Sequence, residues 1–482
     1  MGLYSWVRSW FTRSPGRIAE AQYDAAQTTP NNRRHWRWAD ALSAKAANNP
    51  FVRATIRQRA RYEAANNPLV DGILNTLSND MIGHGPVLQI NSPVEGFNKA
   101  TKLAWVRWTR EIRLWSKMRL ARRAKAVDGE SFLLLVYDPT VRGPVKWNVR
   151  LVEADRIATP NMPWEDPRRT DGIVFDEHGN PIEYHLLRAH PGDQGVNVGW
   201  WNYNPVEACY VLHWFTPKRP GQLRGISELT AQLGTVADLR RYAKATIKKR
   251  ENQAELHGFV KQSGAGAVHP GPGASPDAIS PWTEFEVEMG TWMALPDGAE
   301  PVPFESSETS DPFTGFKREY VSDIARPWGM SYNVAACNSG DSNFSSSKLD
   351  QRLYGRHMEL EQDEAEATIL NPLFAFWLQV ARVAKDSPIQ DDSLFDWEHS
   401  WSWPALDDPD PAKTSAADAS DVASGVLSVR SIQMRRKIDP DLEEQRIAEQ
   451  YGLTVPQYRQ ALAAQRFQGA PDPASSPVGA GS

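Results

Sequence analysis

Ser339-Gly340-Asp341-Ser342-Asn343 is the run that most invites a catalytic reading, because a serine between Gly-Asp and Asn is a conceivable nucleophile, with His357 or His399 as its base. The pattern ends there, and a stretch so rich in Ser, Gly and Asn reads first as a loop. Ser345-x-x-Lys348 has the spacing of a serine–lysine acyl-transfer pair but lacks the Ser-Asp-Asn and Lys-Thr-Gly runs that complete such a site. Asp128-Gly129-Glu130 offers two carboxylates for acid/base work or a metal, yet it stands just before an apolar run and reads as a turn. No Gly-Lys pair exists, so no P-loop can cradle a nucleotide triphosphate, and neither His-Glu-x-x-His nor Gly-x-Gly-x-x-Gly occurs. Cys209 and Cys337 are the only cysteines, too few for a disulfide framework or a zinc cluster. We therefore expect no catalytic residue, metal or cofactor.

Basic residues offer a different chemistry. Trp105, Trp108, Ile112 and Trp115 step by three, four and three, which predicts one amphipathic helix between Phe97 and Ala126. Its other face carries Arg107, Arg110, Arg113, Lys117, Arg119, Arg122, Arg123 and Lys125, opposed only by Glu111. Such a face can grip phosphates with release of counterions, or it can be a solvated or subunit-contacting surface. A second cluster, Arg240, Arg241, Lys244, Lys248, Lys249 and Arg250, falls on a predicted helix from Ile226 to Leu256, roughly 45 Å long. That is too long to be buried in one small core. Charge is divided along the chain: residues 1–250 hold 37 basic and 23 acidic side chains, residues 251–482 hold 17 and 36. Distinct partners for the two ends, or a polyanion held by one surface and repelled by another, would explain this.

The elements that must position these groups belong to about three structural units for 482 residues. Asn48-Asn49-Pro50 and Asn66-Asn67-Pro68 mark helix junctions near the start. Short β-rich runs follow at 131–137, 145–152, 173–175, 182–187 and 210–215, with His178-Gly179-Asn180-Pro181 as a hairpin turn. Residues 262–281 are rich in Gly, Pro, Ala and Ser, and Glu284, Glu286 and Glu288 then alternate with Phe285, Val287 and Met289 as in a half-buried strand. Helices are predicted at 311–327 and 346–369, and the remainder to Arg466 is mostly helical. The nineteen tryptophans read mainly as core and subunit-interface anchors. No stretch approaches the 18 to 20 apolar residues of a membrane span, the longest apolar-rich run being broken by Asn371, Gln379 and Arg382.

In order along the chain, several segments resemble the lambda-type portal proteins of tailed bacteriophages. The most specific is Arg219-Pro220-Gly221-Gln222-Leu223-Arg224-Gly225-Ile226-Ser227, shortly after Val211-Leu212-His213. Arg61-Tyr62, Ile82-Gly83-His84-Gly85, Asp128-Gly129-Glu130, Glu153-Ala154-Asp155-Arg156, Gly329-Met330-Ser331-Tyr332, Asn343-Phe344-Ser345-Ser346 and Asp410-Pro411-Ala412-Lys413 support it. Phe344 and Lys348 stand where the family usually has Tyr and Arg.

This resemblance implies an α+β portal fold: an N-terminal arm (1–34), a wing (35–225), a first stem helix (226–256), a clip (257–308), a second stem helix (309–329), a tunnel loop (330–347), a long helix (348–371), a helical C-terminal wing and crown (372–466) and a tail (467–482). It implies a homo-oligomeric ring, commonly of twelve subunits, at one capsid vertex of the virion, assembled in the host cytoplasm. Double-stranded DNA would pass through it without sequence preference, and it would dock the terminase large subunit, the major capsid protein and a head-completion or adaptor protein. Asn338, Ser339, Gly340, Asp341, Ser342, Asn343, Phe344 and Ser345 would face the DNA. Trp282, Glu284, Glu286 and Glu288 would form the docking surface of the clip, and the 240–250 cations would lie on the stem. Two other readings stand beside this one: a nucleic-acid-processing or serine hydrolase enzyme using Ser342, and a monomeric DNA-binding protein with the basic helix on an open surface.

Overall fold

The computed structural model describes residues 34, 37, 39–92, 95–158, 169–193, 203–255, 259–262, 299–302, 312–340, 343–385, 387, 389, 398–403, 411–436, 438 and 440–468. The helix junctions form as the sequence suggests. After α1 (Ala44–Ala47), Asn49 caps α2 (Pro50–Asn66) and Asn67 caps α3 (Pro68–Ile82), their side-chain oxygens accepting from the N–H groups of Val52 (3.0 Å) and Leu69 (3.1 Å). The prolines occupy the first turn, where no intrahelical donor is needed.

The single helix expected across 97–126 is two: α4 (Glu95–Glu111) and α5 (Leu114–Asp128), broken at Arg113, whose φ is +54°. Ile112 and Leu114 are both buried, yet in one straight helix they would point about 200° apart. The break lets both face apolar surroundings. Trp105 and Trp108 are core residues: Trp105 lies 5.2–5.7 Å, ring to ring, from Trp108, Phe374, Trp377 and Trp401.

Strand β2 (Ser131–Tyr137) lies between β3 (Trp147–Val152) and β8 (Val211–Trp214), and β4 (Arg169–Thr170), β5 (Ile173–Phe175), β6 (Pro181–Leu187) and β7 (Tyr203–Glu207) form a second sheet in that order. Every pairing is antiparallel. Because side chains alternate along a strand, β2 serves two cores: Leu133 and Leu135 join the large helical one, Phe132 and Leu134 a smaller one with Ile157, Ile173 and Tyr184. The strand β1 (Val87–Asn91) pairs antiparallel with β11 (Glu398–Ser402), tying the start of the chain to its C-terminal part. The sequence reading places no strand at 87–91 and reads 372–466 as mostly helical, so this pairing is a correction.

The long helix predicted from Ile226 is shorter. Ser227 caps a 3-10 turn, Glu228–Ala231, and α6 runs from Leu233 to Glu255. A two-stranded ribbon, β9 (Phe259–Gln262) with β10 (Ala299–Val302), follows and leads toward α7 (Pro312–Ala325). Beyond α8 (Tyr332–Ala336), α9 (Phe344–Ala365) continues through a π turn, Glu366–Leu370, into α10 (Asn371–Val383). The wider turn accommodates Pro372, which has no N–H to donate. Four helices close the described chain: α11 (Pro411–Ala423), α12 (Val429–Arg435), α13 (Pro440–Gln450) and α14 (Val455–Gln468). Helices and antiparallel sheets in separate segments make this an α+β fold. No described helix is long and apolar enough to cross a membrane.

Candidate functional site

One face of α2 carries Arg53, Arg57 and Arg61 at i, i+4 and i+8, and all three reach carboxylates of other segments. Arg53 pairs with Asp171. Arg57 donates to Asp155 (2.8 Å) and Glu130 (3.2 Å), while Arg61 holds Asp128 (2.7 and 2.8 Å) and Asp155 (2.6 Å). Arg224 completes the set. Its Nε and Nη2 donate to Glu130 at 2.8 and 2.6 Å, and its Nη1 donates to the carbonyl of Ile157 at 3.0 Å. Four guanidinium groups thus meet four carboxylates, so the cluster is neutral as a whole.

Glu130 sits at its centre, fully buried, and also accepts from the Gly225 N–H (2.9 Å) and faces His213 Nε2 (3.1 Å). Burial alone would raise the Glu130 carboxyl, but Arg224 and His213 outweigh it and hold the group well below its ordinary value. His213, stacked on Phe132 at 4.3 Å, is pushed down by burial against the pull of Glu130 and is neutral at pH 7. A buried ion cluster of this kind is costly to assemble and more costly to break, so it fixes geometry rather than adding stability outright.

The backbone crossing beneath it is close. Gly129 ends α5 with φ +92°, and a β-carbon there would lie 2.2 Å from the Ile226 carbonyl carbon; one on Gly225 would lie 2.1 Å from the Gly129 oxygen. Ser227 Oγ donates to the Ala126 carbonyl (3.1 Å) across the same crossing. Asp128-Gly129-Glu130 is therefore a turn, as read, but one whose carboxylates are spoken for by arginines.

A second buried cluster adjoins the first. Arg122 and Lys125 on α5, whose side chains are 0% exposed, pair with Glu228 (3.1 and 3.3 Å) and with Glu361 on α9 (3.0 and 3.2 Å); Lys125 also approaches Glu364 at 3.6 Å. Trp328, just past α7, donates its indole N–H to Glu228 (2.8 Å). Burial would raise Glu228, yet Arg122 and Lys125 bring it down. Glu228 stands at the entry to α6 and Trp328 at the exit of α7, while Tyr242 farther along α6 contacts Phe316 and Phe313 near the start of α7 (4.5 and 5.8 Å). The two helices run antiparallel from a root bolted to α5 and α9.

The eight cations of the expected basic face have separated. Arg122 and Lys125 are internal; Lys117 bonds Asn148 and the Val149 carbonyl (both 2.7 Å), Arg119 the Gly83 carbonyl, and Arg123 pairs with Asp71 (2.6 Å). Arg107, Arg110 and Arg113 remain exposed. In the other cluster, Arg240 is held by Glu63 (3.0 Å) over the Tyr62 ring and Arg241 by Asp238 (3.1 Å), whereas Lys244, Lys248, Lys249 and Arg250 line the exposed outer part of α6.

The loop expected at 330–347 is narrower, because Tyr332–Ala336 is helical and Phe344 and Ser345 already belong to α9. Asn343 is the cap of α9, accepting from the Ser346 N–H (2.8 Å), which sets the helix start there. Asn338, Ser339 and Gly340 are exposed. Asp341 and Ser342, and Trp282, Glu284, Glu286 and Glu288 of the expected docking surface, lie outside the described residues. His399 bonds Asn371 (3.0 Å), and His357 packs its β-carbon toward Gly329.

Glu153, Asp155 and His190 bring three potential metal ligands within 4.8 Å, a grouping that the sequence reading missed. His190 Nδ1 accepts from the Gly192 N–H (2.9 Å), so the proton of the neutral ring is on Nε2, the atom facing the two carboxylates, and Asp155 is already engaged by Arg57 and Arg61. This chemistry suits an ion-pair edge of the arginine cluster better than a cation.

The family model described as phage portal protein, lambda family, matches residues 29–362. A probable portal protein of Halomonas phage phiHAP-1 is 27% identical over 445 residues, covering 86% of this chain and 83% of that protein. Among solved structures, a chain from the neck of an empty GTA particle, computed with C6 symmetry, has a TM-score of 0.49 at 15% identity, covering 78% of this chain and 92% of its own. An HK97 family phage portal protein from Corynebacterium diphtheriae has a TM-score of 0.31 at 14% identity, covering 74% and 97%. The segments that carry the sequence resemblance, around Arg61, Glu130, Asp155, His213 and Arg224, converge on one buried cluster, and with the family model spanning residues 29–362 the chain belongs to the lambda family of phage portal proteins.

Proposed function

We propose that the chain is a structural subunit of a closed homo-oligomeric ring at one capsid vertex, the channel through which double-stranded DNA enters and leaves the head and the platform on which terminase and head-completion proteins dock. The observation that carries this reading beyond family membership is the α6/α7 pair. Its root is fixed by two buried ion clusters, but from Arg241 to Arg250 no other described part of the chain buries α6, and Ile247 is 57% exposed. An exposed helix that the described residues leave uncovered is what neighbouring copies in a head-to-tail ring would cover. On α9, Leu349, Leu353 and Leu360 form a second uncovered stripe, 53–70% exposed at i, i+4 and i+11. Two separate apolar surfaces on one subunit suit a heterologous interface, in which different patches meet and rotation closes the ring.

On this reading the cations of outer α6 and the exposed Asn338–Gly340 segment line or border the channel and meet only the phosphate backbone, which carries no sequence information. Light scattering and negative-stain imaging of the purified chain, with and without its capsid protein, test the reading: closed rings are expected, and a monomer under every condition refutes it. Packaging per assembled head then separates conduit from enzyme. Ser342→Ala should package as wild type while deletion of 338–343 impairs packaging in intact rings; a null phenotype for Ser342→Ala in well-formed rings would assign the loop to catalysis, and a harmless deletion would remove it from the channel.

A further inference from the structure

Away from the helix root, unneutralised charge concentrates at the junction of α4 and α5. Arg107, Arg110 and Arg113 are exposed and form no ion pair among the described residues, and Arg142, 91% exposed, reaches only Glu111 at 4.0 Å. The four arginines with Glu111 and Thr140 line one open recess. Like charges three apart repel along a helix, and the left-handed φ of Arg113 is unfavourable for any residue with a β-carbon. Local energetics therefore work against this cluster rather than for it, as at sites kept for binding.

Beside the recess opens an apolar cavity of about 420 Å³, lined by Leu103, Trp108, Val145, Trp377, Ala381 and Ile389. Arg107 and Arg142 border both spaces, so the two adjoin. Trp377, one wall of the cavity, is 1% exposed, so the cavity reaches into the core. A phosphate backbone would use the arginines but has nothing to place in the cavity. An apolar ligand would fill the cavity and leave the arginines idle.

We propose that this recess docks an acidic segment of a partner protein, with one aromatic or large aliphatic side chain in the cavity and flanking carboxylates on Arg107, Arg110, Arg113 and Arg142. Every lining residue of the site belongs to one subunit, so building it does not require the ring. The test uses the full chain and a fluorescein-labelled peptide of two aspartates, phenylalanine and two aspartates, followed by fluorescence anisotropy, with a labelled duplex DNA measured in parallel. Replacing the peptide's phenylalanine with serine should weaken binding about tenfold or more, the effect of losing one buried aromatic ring. Arg107→Glu with Arg142→Glu should weaken it about a hundredfold, because attraction becomes repulsion. Leu103→Glu, at a position already 45% exposed, should weaken the phenylalanine peptide far more than the serine one. Absence of saturable peptide binding, or equal binding by the charge-reversed protein, overturns the proposal. Loss of duplex binding with peptide binding intact would mark the surface as a nucleic-acid contact and overturn it equally.

Discussion

Replacing Arg224 with methionine removes two hydrogen bonds from Glu130 and one from the Ile157 carbonyl while keeping most of the side chain's volume. What remains around the fully buried Glu130 carboxylate is Arg57 at 3.2 Å, the Gly225 N–H and a neutral His213. Truncating one partner of a buried pair costs about 3–5 kcal/mol, because the other charge stays in place uncompensated. Arg241→Met is the control: its partner Asp238 is 59% exposed and it is itself 83% exposed, so its loss should cost no more than about 1 kcal/mol. Chemical denaturation followed by tryptophan fluorescence reads both, since Trp214 lies beside Lys125 in the adjoining cluster. Arg224→Met combined with Glu130→Gln should recover part of the loss, because the stranded charge is gone. If Arg224→Met is as mild as Arg241→Met, or if the double variant is worse than the sum of the singles, the neutral-cluster reasoning is wrong.

Gly225→Ala should prevent folding of the wing against the helix root, since its β-carbon would press on the Gly129 backbone, whereas Gly234→Ala, with open space around it, should be neutral or slightly stabilising in the same denaturation assay. Burial lowers His213, His357 and His399 below 6.5, so the unfolded chain binds more protons than the folded one beneath that pH. Their stabilising contribution is complete above about pH 6.5 and declines on acidification by up to about 1.4 kcal/mol per pH unit for each histidine, and His213→Gln should make the slope of stability against pH shallower, by at most one proton. Leu349→Ser with Leu360→Ser should leave the monomer's melting nearly unchanged while reducing ring yield in light scattering, as expected for surface that only a neighbour covers.

Periodicity made the local elements legible: the Asn-Pro junctions, β2, β5, β6 and their turn, and α7 stand close to where the sequence places them. What periodicity could not register was partnership at long range. The β1–β11 pairing joins residues some three hundred positions apart, and its local traces are short: Leu88 and Ile90 alternate with Gln89 and Asn91, and His399 and Trp401 with polar neighbours. The break at Arg113 was invisible because the Trp stripe continues through it at helical spacing; only the burial of both Ile112 and Leu114 demands it. The arginine ladder of α2 did leave a signal, three arginines at i, i+4 and i+8, but a cationic stripe on a helix ordinarily reads as a solvated face. The resemblance identified Glu130, His213 and Arg224 as part of one family pattern without indicating that they touch.

The division of charge along the chain has a consequence that depends on the same point. Counted in sequence, the first 250 residues carry a large positive excess and the rest a negative one. In space, part of that excess is spent inside the fold: Arg53, Arg57, Arg61 and Arg224 are neutralised by carboxylates of the same half, and Arg122 and Lys125 partly by Glu361 and Glu364 of the other. A surface field comes from exposed cations, and among the described residues these gather at Arg107, Arg110, Arg113 and Arg142 and on outer α6. Uniform attraction of DNA to the basic half is therefore the wrong picture. Two localised cationic patches, one on the shaft of the helix pair and one beside an apolar cavity, can be altered independently: charge reversal on outer α6 should change the salt dependence of duplex binding, and reversal at Arg107 and Arg142 should leave that slope unchanged while abolishing the acidic peptide.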